Sequence, residues 1–119
     1  MFLKKADLNP IDFEGLNIYD YTADRDESSS FAVITVPPGA VHGLSWSKRS
    51  DKYYYAVKGE LQFTLEDDDK KLVTRTFAEG DFLIVHQGKR FDYCNNTQET
   101  AEIILVHTPG FDIESEVFL

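Results

Sequence analysis

From Phe31 to Thr108 the chain repeats one pattern: short stretches of alternating apolar and polar residues, or brief apolar runs, each closed by glycine, proline or charged residues. Alternation with a period of two places successive side chains on opposite faces of a strand. The three- and four-residue spacing of an amphipathic helix is hard to find. The pattern predicts nine strands, at 17–21, 31–36, 41–46, 52–57, 61–66, 72–77, 82–86, 91–95 and 101–107. So many short strands in a small chain give an all-β class, a sandwich or barrel.

The breaks between the strands have their own chemistry. Pro37-Pro38-Gly39 sets two fixed φ angles before a permissive glycine and stops a strand. Lys58-Gly59-Glu60 separates two apolar runs closely enough for a hairpin, and Asp67-Asp68-Asp69-Lys70 is a charged hairpin tip that reads as a solvated loop more readily than as a cation site. The stretch 23–30, reading ADRDESSS, is polar and predicts a loop. The expected organisation is a single domain, with residues 1–30 forming an N-terminal strand and loop packed on a barrel of residues 31–119.

Composition narrows the function classes. With 119 residues the chain can bury one core without disulfides or a structural metal. Its net charge of -9, from 21 acids against 12 bases, argues against nucleic acid or anionic membrane as a partner, since both need clustered Lys and Arg. The lone cysteine, Cys94, cannot form an internal disulfide, and the two lysines near the N-terminus precede no long apolar run. No stretch of eighteen apolar residues is present to span a bilayer. These features make a cytoplasmic protein the expectation.

The glycines from Gly39 onward follow a two-part frame. Gly39 to Gly59, within VPPGAVHGLSWSKRSDKYYYAVKGELQF, has the outer spacing of a motif written glycine, five residues, His-x-His, three or four residues, Glu, six residues, glycine. Gly80, Gly88 and Asn95, within GDFLIVHQGKRFDYCNN, fit a second motif: glycine, five residues, Pro-x-Gly, two residues, His, three residues, Asn. In this frame the chain resembles the cupin superfamily, and the PPG, YYYAVKGEL, AEGD and HTPGF segments add to the likeness. The resemblance implies a double-stranded β-helix, or jelly-roll barrel, and a homodimer whose N-terminal strand crosses to the partner or covers a sheet edge.

The resemblance also maps the family's metal positions onto Ser45, Ser47, Lys52 and Phe91, in place of His, His, Glu and His. A borderline transition metal wants imidazoles and a carboxylate, and an ammonium repels it. The expectation is therefore no metal and no other cofactor. His86 also replaces the proline of the second motif.

Strand parity puts Lys52 and Tyr54 on one face, and the resemblance implies that this face lines the cavity. By the same parity Ser45, Ser47, Phe91 and Tyr93 would look inward too, giving a set of hydroxyls, rings and one amine suited to a small polar metabolite. An inward Lys52 would pair with an acid, lose its charge or meet an anionic ligand. Trp46 and Arg49 flank the first motif and could hold a ring or an anion. Acid–base chemistry would look first to the histidines. His42 and His86, with Tyr54, are the candidate catalytic residues, while His107 closes an apolar strand and reads as a core or rim histidine. Three functions remain open: a metal-independent cupin that binds a small polar ligand such as a sugar or nucleotide-sugar, a metal-free isomerase, epimerase or dehydratase, and a structural dimerisation module.

Overall fold

A computed structural model describes residues 1–23, 25 and 28–119. The loop expected at 23–30 thus lies partly outside the described residues. The described chain forms eleven strands: β1 (Ile11–Phe13), β2 (Leu16–Asp20), β3 (Ser30–Val36), β4 (Ser45–Ser47), β5 (Asp51–Lys58), β6 (Glu60–Glu66), β7 (Leu72–Ala78), β8 (Phe82–Val85), β9 (Phe91–Cys94), β10 (Ala101–Thr108) and β11 (Glu116–Phe118). They make a six-stranded sheet, ordered β1-β2-β3-β10-β5-β8, and a five-stranded sheet, ordered β11-β4-β9-β6-β7. All named pairings are antiparallel. No described helix is long and apolar enough to cross a membrane.

The predicted alternation is what closes the two sheets on each other. On β10 the residues Ala101, Ile103, Leu105 and His107 are buried, and on β5 Lys52, Tyr54 and Ala56 are, while their neighbours face outward. From the opposite sheet come Leu61, Phe63, Phe91 and Tyr93. The aromatic members interlock edge to face and in offset stacks, as Tyr54 does with Phe63 at 5.1 Å between centroids.

Two turns depend on particular residues. Gly59, at φ +79, links β5 to β6 so close to β10 that an added Cβ would lie 2.7 Å from the Cα of Ala101. Asn95, fully buried after β9, donates to the carbonyls of Val36 and Glu99 and accepts from the backbone and side chain of Thr97. The turn after β8 forms with His86 where proline was expected, closed by Lys89 N–H donating to the His86 carbonyl at 3.0 Å.

Two differences from the sequence reading matter for the site. The strand expected at 41–46 shrinks to one bridge, Val41 with Cys94, followed by β4 at Ser45–Ser47. Strands β1 and β11 were not anticipated. Each has three residues, too few for an alternating pattern to register. Within this chain β1 and β2 lie outside β3 and cover that edge of its sheet.

Candidate functional site

A cavity of about 190 Å³ lies between the six-stranded sheet and the C-terminal segment. Its walls are mainly apolar: Phe13, Ile18, Ala32, Ile34 and Leu105 from the sheet, and Phe111, Ile113 and Phe118 from the chain's end. Its polar lining consists of Asp20, Ser30, His42, Tyr54, Tyr93, His107 and Glu116. A larger groove of about 530 Å³ runs between β7 and β8, but neither a histidine nor a tyrosine lines it. The smaller cavity is where groups able to move protons meet.

His42 sits on the connection from β3 to β4, its ring 4.9 Å from both Phe91 and Tyr93 and 5.8 Å from Phe13. Its Nδ1 lies 2.9 Å from the Gly43 carbonyl. A carbonyl only accepts, so Nδ1 carries the proton and Nε2 keeps its lone pair. Every fully buried side-chain nitrogen or oxygen among the described residues has a partner, so Nε2, which has none, borders open space. Burial lowers the His42 pKa, opposed by the bond to Gly43, and the imidazole is neutral at pH 7. The result is a neutral base directed at the cavity.

Tyr54 and Tyr93 supply the complementary groups. Neither hydroxyl has a partner within the described chain, and both residues line the cavity. Burial raises both pKa values, that of Tyr54 well above its usual range. Both stay protonated and are available as hydrogen-bond donors.

Beside them lies a buried cluster of hydrogen-bonded side chains. The Lys52 ammonium bonds to a Glu116 carboxylate oxygen and donates to His107 Nε2 at 2.8 Å. Burial pushes His107 down to about 3, and the Lys52 charge adds to this, so the ring is neutral and its proton sits on Nδ1. Burial also lowers the Lys52 pKa, with Glu116 opposing the shift. The other Glu116 oxygen has no partner and borders the cavity.

The sequence-predicted residues thus divide. His42, Tyr54 and Tyr93 come together on the cavity. Lys52 is buried next to it but turned onto Glu116 and His107, which answers its charge without an anionic ligand. Ser45 and Phe91 are buried neighbours on β4 and β9, and Phe91 belongs to the core. Ser47 accepts from the backbone N–H groups of Arg49 and Ser50 and shapes the turn into β5. None of these three lines the cavity, nor do Trp46, on β4 opposite Val117, and the exposed Arg49. His86 is not brought to the cavity either: its side chain is 66% exposed and lies 3.7 Å from Asp51, because the turn after β8 points it outward. Asp20 and Glu116 were missed by sequence reasoning. The only signal for Glu116 was its place in EVF at the chain's end, too short to assign to a strand.

The metal implied by the family positions does not fit these residues. Phe91 has no donor atom, Lys52 is a cation already committed to Glu116, and the Ser47 oxygen serves the backbone.

Comparison with known proteins agrees with the architecture. The cupin domain family model matches residues 32–107. No curated protein gives a significant match. Among solved structures, oxalate decarboxylase from Bacillus subtilis aligns with a TM-score of 0.86 at 22% identity, over 98% of this chain and 31% of that one. Oxalate decarboxylase from Lactobacillus farciminis aligns at 0.82 and 20% identity, over 96% and 34%. The chain therefore spans about a third of these enzymes. Pac13, described as a unique nucleoside dehydratase, aligns at 0.80 and 21% identity, over 100% of this chain and 90% of that one. At such identities the likeness establishes the fold.

Proposed function

Since the chain belongs to the cupin domain family, we propose that it is a metal-independent member that takes a small, uncharged, hydroxylated organic molecule into its cavity and moves a proton on it. The reaction class is isomerisation, epimerisation or dehydration. The observation that carries this reading is His42, held neutral by burial with Nδ1 on the Gly43 carbonyl and Nε2 at the cavity beside two phenols.

In this reading Nε2 of His42 removes a proton from a carbon next to a carbonyl group, and the Tyr54 and Tyr93 hydroxyls donate to the oxygen on which charge develops. Returning the proton to another position isomerises or epimerises the substrate. Departure of a neighbouring hydroxyl, protonated to water by the imidazolium, dehydrates it. Pac13 is described as a nucleoside dehydratase and matches this chain over nearly its whole length, which supports that branch.

The preference for an uncharged ligand rests on the cavity's charges. Asp20 and Glu116 are the charged side chains lining it among the described residues, and the nearby Lys52 ammonium is already paired. A carboxylate or phosphate would meet acids there without a free cation. A nucleoside or free sugar therefore suits the cavity better than a nucleotide-sugar. A structural module alone would have no use for a cavity lined with proton-moving groups.

A thermal-shift screen of paired probes tests the binding half, because a ligand of the native state raises the melting temperature. Nucleosides and neutral sugars should raise it, and their phosphorylated counterparts should not. Shifts confined to the phosphates would overturn the reading.

A further inference from the structure

His42 and Ser45 both face the barrel interior, although three positions separate them. On an unbroken strand an odd separation places side chains on opposite faces. The pairing with β9 shows how the conflict is resolved. Val41 pairs with Cys94 and Ser45 with Phe91, so four steps on one strand face three on the other. One residue is extra, and the segment forms a β-bulge with Gly43 at φ +96. The glycine accepts a backbone conformation that a side chain would strain.

A bulge leaves a backbone group without its ladder partner. Up to this point the loop is bonded regularly to β9 and the residue after it, with Asn95 N–H to the Ala40 carbonyl and His42 N–H to the Tyr93 carbonyl at 2.8 Å. The next N–H, that of Gly43, donates instead to the Asp92 carboxylate at 2.8 Å. The other end of Gly43, its carbonyl, accepts the Nδ1 proton of His42. One glycine is thus held at its N–H by Asp92 and holds the imidazole at its carbonyl.

We propose that Asp92 is a positioning residue for His42: by capping the Gly43 N–H inside the bulge, it fixes the carbonyl that holds the imidazole with Nε2 open to the cavity. Asp92 does not line the cavity, so it acts through Gly43 and not on a ligand. This deepens the reading of His42 as the base, but it can be tested without any ligand.

The experiment is NMR of the ring nitrogens of His42 in ¹⁵N-labelled protein, comparing the unaltered chain with Asp92→Asn and Asp92→Ala. The Asn oxygen can still accept from Gly43, so Asp92→Asn should keep the Nδ1-protonated form. In Asp92→Ala the Nε2-protonated share should rise from under about a tenth to roughly a half, because the bond that selects the tautomer is no longer fixed. His107, whose Nε2 is held by Lys52, should be unchanged in all three and serves as an internal control. If Asp92→Ala does not fold, Asp92→Ser, one atom too short to reach Gly43 in the same way, is read instead. An unaltered His42 tautomer in the folded Ala or Ser variant overturns the role of Asp92. An Nε2-protonated His42 in the unaltered chain overturns the reading of His42 as the base, so the two failures are distinguishable.

Discussion

Lys52 and Glu116 form an ion pair across the barrel interior that joins the six-stranded sheet, through β5, to the five-stranded sheet, through β11. Their side chains are 3% and 9% exposed. Burying two charges costs a great deal of hydration, which is recovered only while both partners are present. Glu116→Ala should therefore destabilise the fold by roughly 3–5 kcal/mol, since it strands a buried ammonium. A double replacement, Lys52→Met with Glu116→Leu, should come within about 2 kcal/mol of the unaltered chain. Urea denaturation distinguishes the two cases, and equal losses would show that the pair is not buried as described.

His107 gives the fold a definite acid sensitivity. Its pKa falls from 6.5 to about 3 on folding, so as pH drops through 6.5 the unfolded chain takes up a proton that the folded chain refuses. The stabilisation is complete above 6.5 and is lost progressively as pH falls toward about 3, at about 1.4 kcal/mol per pH unit. His107→Gln, which can still accept from Lys52 but does not titrate, should show a correspondingly shallower loss between pH 6 and 4. Parallel stability curves would contradict the assignment.

Gly59→Ala should destabilise by roughly 2–4 kcal/mol, combining a positive φ with overlap against backbone. The added methyl would lie 2.7 Å from the Cα of Ala101 on β10, which cannot move without disturbing its pairing with Val36 on β3. Gly80→Ala, at a similar φ but with nothing within 4 Å, should cost only about 1 kcal/mol. Thermal denaturation of the two variants checks the ordering.

Dialysis against manganese or iron salts should leave less than about a tenth of an equivalent bound, since a cation, a phenyl ring and two serines offer such ions little. Elemental analysis after desalting measures it. Stoichiometric retention would mean that other side chains form a site.

How far the sequence could be read depended on element length. The eight-residue strands β5 and β10 alternate long enough to sort their residues onto two faces, and the inward placement of Lys52 and Tyr54 followed once the family frame had said which face lines the interior. The two-part glycine frame did the same for the family, because Gly39, Gly59, Gly80 and Gly88 each stand at a positive φ that a turn requires. The site was less legible. Glu116 lies on a three-residue strand, and its pairing with Lys52 spans 64 positions that no local pattern connects. Asp92 points away from the core on its strand and matters only because of a bulge opposite it. His86 was a reasonable candidate by residue type, but its turn places it in solvent.

Removal by His42 of a carbon-bound proton from a ligand in the cavity is tested most directly by solvent-isotope exchange. The protein is incubated in D₂O with the uncharged compounds that raise its melting temperature, and deuterium entering their C–H positions is followed by NMR. The unaltered chain should catalyse incorporation, and His42→Gln should bind the same compounds but exchange about 10²–10⁴-fold more slowly. Equal exchange rates in the two proteins, or binding with no incorporation by the unaltered chain, would contradict the claim.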